Sequence, residues 1–183
     1  MADTDYKETL DILDKLSVCL YRAGISLFAL SLIGFSALAF GWFSGLDEHY
    51  HSVLVMIGVS AAFSAANIHI YSKSVRLMIS WSSWVGLLNM LSDFDFSRVW
   101  LSLGLIFVTF SGIALKESYC FKVPGLKLVP VLLIISTFAL CFDLLIIAAI
   151  AMLLAGMIMG YLSIAKWRMP LHFDIGIKAK YEV

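Results

Sequence analysis

Apolar stretches divided by short polar gaps leave this chain few ways to fold, and the placement of its bases narrows them further. Six stretches can be marked off. Taking the gaps alternately, one set carries Lys7, Lys15, Arg22, Lys73, Arg76, Lys116, Lys122, Lys127, Lys166, Arg168, Lys178 and Lys180, and the other set carries only Arg98. Lys and Arg confined to one side of successive apolar segments is the pattern of a polytopic membrane protein with both termini in the cytoplasm. Hydrophobic residues make up 61% of the chain, against about half in soluble domains. A water-exposed fold would lack the polar surface to cover such a core.

The bases sit beside apolar segment ends, where positive-inside bias accounts for them, so no nucleic-acid partner is implied. Cys19 and Cys120 fall on the expected cytoplasmic side, where thiols stay reduced, and Cys141 falls near the other face, so no disulfide framework is expected. Ala37-Leu38-Ala39 has the small-x-small form of a signal cleavage site. The preceding segment 1–22, however, carries Asp3, Asp5, Glu8, Asp11 and Asp14 where a signal needs net positive charge.

Residues 4–22 predict an amphipathic helix, with Tyr6, Leu10, Leu13, Leu16 and Leu20 recurring at three- and four-residue spacing. This cytoplasmic helix (1–22) either lies along the inner surface or runs into the first span. The spans are expected at about 23–43, 53–71, 77–91, 99–115, 128–142 and 144–165, since crossing roughly 30 Å of hydrocarbon takes about 20 apolar residues. Residues 128–165 are too long for one crossing, so a hairpin turning near Asp143 is predicted. The expected fold is thus all-α, a six-transmembrane-helix bundle over residues 23–165 with a cytoplasmic tail, 166–183. From Leu171 to Val183 that tail alternates apolar and polar residues, the period of a strand with one covered face. The candidate protein contact, to a partner or to a second copy, is this tail segment 171–183.

Small residues at four-residue spacing let helix backbones approach closely where lipid supplies no hydrophobic drive. Gly58, Ala62 and Ala66 in the second span and Gly156 and Gly160 in the sixth are therefore expected helix-packing positions. Polar groups at membrane depth are costly and often functional, which singles out Asn67 and His69. No second histidine lies within a span, so a bis-histidine haem is not expected, and no cofactor is assigned. The loop Asp47-Glu48-His49-Tyr50-His51 has metal-ligand residue types, but contiguous ligands are weakly specific. It reads as a solvated polar loop, and no metal is expected. On the cytoplasmic side Glu117 and Cys120 share the loop 116–127 and are the remaining candidates for function, but no catalytic residue is assigned.

The strings Lys116-Glu117-Ser118-Tyr119-Cys120-Phe121 and Met169-Pro170-Leu171-His172-Phe173-Asp174-Ile175-Gly176 resemble motifs of an uncharacterised bacterial integral membrane family, domain of unknown function 2301. The resemblance implies an inner-membrane protein with no assigned activity. The ending Ile177-Lys178-Ala179-Lys180 departs from the more polar ending associated with that family. With few polar residues inside the spans and three decorated segments on one side, the expected role is that of a non-enzymatic partner-binding or assembly protein. The alternative is a small transporter or channel using Asn67, His69, Asn89 and Asp143.

Overall fold

The structure, a computed structural model, describes residues 9–42, 46–93, 95 and 97–182, with the side chains of 46–48 left aside. Lys7, Tyr6, Val183 and the carboxylates of Asp47 and Glu48, all used above, lie outside what it describes. Six long helices follow one another: α1 (Ile12–Ala39), α2 (Leu46–Ala66), α3 (Lys73–Ser92), α4 (Val99–Ser118), α5 (Val129–Cys141) and α6 (Leu145–Trp167). A short helix α7 (His172–Ile175) and single 3-10 turns at Leu126–Leu128 and Lys178–Lys180 complete the chain.

Each helix packs on its neighbours in sequence, and α6 closes back on α1. The centre of this ring is filled. Phe28 of α1 lies flat on Phe110 of α4, with ring centroids 3.5 Å apart, and meets Phe107 edge-on at 5.9 Å. Close approach of α1 to α2 depends on Gly24, where a Cβ would stand 3.0 Å from the Ser60 carbonyl oxygen. Gly156 does the same for α6 on α1, a Cβ there falling 3.1 Å from the Ala29 carbonyl oxygen. Gly58 faces Leu87 of α3, while Gly160 looks toward Ala29 at 3.9 Å. Ala62 is half-buried and Ala66 is exposed at the end of α2.

Some hydroxyl and amide groups inside the bundle bond across to neighbouring helices, while others, such as Ser31 and Ser136, bond back to their own helix. Ser36 donates to the Ala149 carbonyl at 2.8 Å, Thr109 to the Ile79 carbonyl at 2.6 Å, and Asn89 to Ser102 Oγ at 2.7 Å. The outward faces are apolar in turn: Met78, Leu88, Val131, Phe138 and Ile164 are among many large exposed side chains. Contiguous exposed apolar surface of this kind suits a helix bundle solvated by lipid.

Three expectations need correction. Among the described residues four helices, not six, are long and apolar enough to cross a membrane: Ile12–Ala39, His49–Ala66, Val99–Ser118 and Leu145–Trp167. The apolar helix Leu126–Cys141 is too short, its 16 residues reaching about 24 Å at 1.5 Å each. α3 has the length but is diluted by Lys73, Arg76, five serines and Asn89. The six-transmembrane bundle is therefore overturned.

The strand-like tail is overturned as well. No strand exists among the described residues, and the described part of the tail carries α7 and a 3-10 turn instead. Alternation fails to sort its faces, since adjacent Asp174 and Ile175 are both buried. Finally, among the described residues the first helix begins at Ile12, and residues 4–8 of the expected helix lie outside them. Asp11 accepts from the Asp14 backbone N–H at 2.7 Å and Asp14 reciprocates at 3.0 Å, a capping box that fixes the start. From there α1 runs without a break to Ala39.

Candidate functional site at the charged end

The start of α1, the ends of α2, α4 and α6 and the whole tail meet at one end of the bundle. Helix C-termini favour cations, and Lys116 and Lys166 occupy the last turns of α4 and α6. Two of the side chains gathered there are buried cations, and without the tail Arg22 would lose its carboxylate partner while Lys166 would keep only Glu117. Arg22 of α1 and Lys166 of α6 are each 2% exposed. A lone buried cation costs several kcal/mol.

The tail supplies the missing carboxylate. Met169 and Pro170 turn the chain back, and α7 carries Asp174 down onto the helix ends. Arg22 Nε donates to Asp174 Oδ2 at 2.7 Å, with Nη2 in ion-pair contact with the same oxygen. The rest of the guanidinium donates to the Met169 carbonyl at 2.8 Å and the Pro170 carbonyl at 3.0 Å. Lys166 Nζ bridges Asp174 Oδ1 and Glu117 Oε2, the latter at 3.0 Å. Glu117 in turn accepts from the Tyr21 hydroxyl at 2.8 Å and pairs with Lys116 at 3.3 Å. Both ammonium groups lie 5.2 Å from the Tyr21 ring centroid.

Beyond Asp174 the tail is held by a second set of contacts. Gly176 takes φ +66°, and a Cβ there would run into the Tyr71 hydroxyl, so this position requires glycine. The Ile177 N–H donates to that hydroxyl at 3.0 Å, and Tyr181 donates to the Ile175 carbonyl at 2.7 Å. Burial raises the Tyr181 hydroxyl above its ordinary pKa, keeping it protonated as this donor. Glu182 N–H donates to the Tyr71 carbonyl at 3.0 Å, while Glu182 Oε2 accepts from the Lys73 N–H at 2.8 Å. Arg76 reaches both the Ile70 and Glu182 carbonyls. Lys178 pairs with Asp14 of α1.

Of the residues singled out by sequence, Glu117 is central to this assembly, but Cys120 is exposed to one side of it. Asn67 bonds back to its own helix, donating to the Phe63 carbonyl at 2.9 Å. His69 has Nε2 3.5 Å from Ser17 Oγ and sits edge-on to Tyr21 at 6.3 Å. Burial, then the nearby Lys116 charge, depresses its pKa to about 4. It is therefore neutral at physiological pH. Arg22, Lys166, Asp174 and Tyr21 were not singled out. The available signal was that Arg22, Glu117 and Lys166, of both signs, all lie at the same ends of long apolar segments.

Chemically the cluster is closed. Its two buried bases are matched by its two buried acids. Among the described residues, no group of three His, Cys, Asp or Glu side chains is placed to hold a metal.

An uncharacterized protein of Haemophilus influenzae is 37% identical over 183 residues, which is all of this chain and all of that protein. This chain belongs to that protein's family. No family model matches it, and no solved structure matches it.

Proposed function

We propose that this is a multi-pass protein of the bacterial inner membrane, acting as a non-enzymatic partner-binding or assembly protein through its charged end. In this reading the charged end faces the cytoplasm, because basic residues at span ends are retained there. The short strings at 116–121 and 169–176 further support membership of the uncharacterised integral membrane family that they resemble.

The observation that carries the reading is a contrast in how polar groups are used. Within the bundle most of them bond either to an adjacent helix or back to their own, and the axis is blocked by Phe28 against Phe107 and Phe110. At the charged end, ion pairs hold a folded tail beside exposed side chains such as Tyr119, which is 79% exposed. This favours a docking platform over a conduit. The transporter alternative needs a polar route, but Asn89 is bonded to Ser102 within the bundle and Asp143 lies in the α5–α6 turn.

The test is purification of tagged full-length chain in mild detergent, with the oligomeric state and bound proteins measured by native mass spectrometry. The expected result is a defined complex, lost in a Tyr119→Ala, Lys180→Glu variant that keeps its thermal stability. A wild-type chain that is monomeric and partner-free, yet supports solute flux in proteoliposomes, would support the conduit instead.

A further inference from the structure

The segment from Ser118 to Leu128, between α4 and α5, encloses an open groove of about 450 Å³. Its shape is built in rather than accidental. Gly125 takes φ +77° and sits against Ile158 of α6, where a Cβ would fall 3.2 Å from Cδ1. Leu126 is 1% exposed in the core, with Phe121 and Val123 packed against that core. The loop is thus anchored by its apolar residues while Lys122 and Lys127 remain exposed in the lining. Lys127 Nζ stands 5.9 Å from the Tyr119 ring, which holds it on the groove side.

The charge of this groove is uncompensated. Among the described residues no Asp or Glu lines it. The adjacent acid, Glu117, turns inward and is 2% exposed, bound to Tyr21 and Lys166. Below the groove the surface becomes apolar at once: Leu128 and then Val131, Ile135 and Phe138 of α5 are all more than 40% exposed. A basic concavity directly above a lipid-exposed helix matches a molecule with an anionic head and acyl tails. Basic pockets at the membrane–cytoplasm boundary bind such headgroups.

We propose that the groove formed by residues 118–128 is a binding site for one anionic phospholipid. Lys122 and Lys127 engage the headgroup phosphate, and the acyl chains run along the exposed face of α5. Free phosphate shares the headgroup chemistry but lacks the apolar contact, so the two sources are separable.

The test uses full-length protein in mixed micelles titrated with phosphatidylglycerol or phosphatidylcholine and read by native mass spectrometry. The Lys122→Ala, Lys127→Ala variant is compared with a Lys73→Ala, Lys180→Ala variant, which removes equal charge from elsewhere on the same end. The expected result is preference for phosphatidylglycerol, weakened on the order of tenfold by the groove variant and much less by the control. Millimolar inorganic phosphate should not displace the lipid. Equal weakening by both variants would reduce the effect to general surface charge and overturn the site. So would absence of headgroup preference, or displacement by inorganic phosphate. Lys122 and Lys127 are exposed, so their truncation leaves the core intact, and matched melting temperatures check this.

Discussion

The two ends of the bundle solve the same problem, closing off helix termini, by different means. At the far end the described turn residues rely on local backbone geometry and on a side chain bonding a few residues along the chain. Asp143 takes φ +57° between α5 and α6, Gly41 takes φ +70° after α1, and Asp93 accepts from the backbone N–H groups of Ser97 and Arg98. At the charged end a 16-residue stretch, 167–182, folds back over the helix termini, and buried ions hold it. A turn built on local geometry tolerates change. A buried ion cluster does not, because removing one member strands the others in a medium that cannot solvate them.

That contrast can be broken most sharply at Asp174. Replacing it with Ala leaves Arg22 and Lys166 buried with only Glu117 between them, and should cost about 3–5 kcal/mol in reversible unfolding measured in mixed micelles. A loss no larger than that of a surface substitution would mean the ions are solvated and the ends are alike.

The next effect is one of pH. His69 at the charged end has a folded pKa of about 4 against an ordinary 6.5. The folded state therefore disfavours the proton that the unfolded state accepts. Stability from this group is full above pH 6.5 and falls as pH drops toward 4. A pH series of melting temperatures should show this decline, and His69→Gln should remove that component of it.

Smaller still is the outer half of the tail. Tyr71→Phe deletes the acceptor of the Ile177 N–H and should cost about 1 kcal/mol by the same unfolding assay. At the far end, Asp143→Gly replaces a residue already in left-handed backbone with one that adopts it freely. The change should stay within about 1 kcal/mol of wild type, and a large loss would show that this turn too depends on its side chain.

How much of this was legible in the sequence follows from the range of each interaction. The long apolar helices are written locally: composition and length over some 20 residues identify α1, α2, α4 and α6. The sorting of bases is equally plain, and the described bases of the larger set do gather at one end. α5 runs Val129–Cys141, close to the expected 128–142, but its unbroken apolar character hides that this length falls short of a crossing. The tail was misread for a related reason. Two-residue alternation from Leu171 onward ignores that Asp174, assigned to a solvated face, has a partner 152 residues away in Arg22.

The ion cluster was hidden because each base already had an explanation. Arg22 and Lys166 satisfy a topological rule by themselves, and the rule does not ask what they touch. Only Glu117 was singled out, as an acid among bases. Its role proved to be compensation for Lys166 and Lys116 rather than chemistry with Cys120.

The central claim is that the C-terminal segment is an ion-held part of the bundle. Hydrogen–deuterium exchange over residues 171–182, in wild type and Asp174→Asn, tests it most directly. The account predicts protected amides at Asp174, Gly176 and Ile177 in wild type, with protection lost throughout the segment in the variant. Unprotected exchange at these amides in the wild-type protein would contradict it.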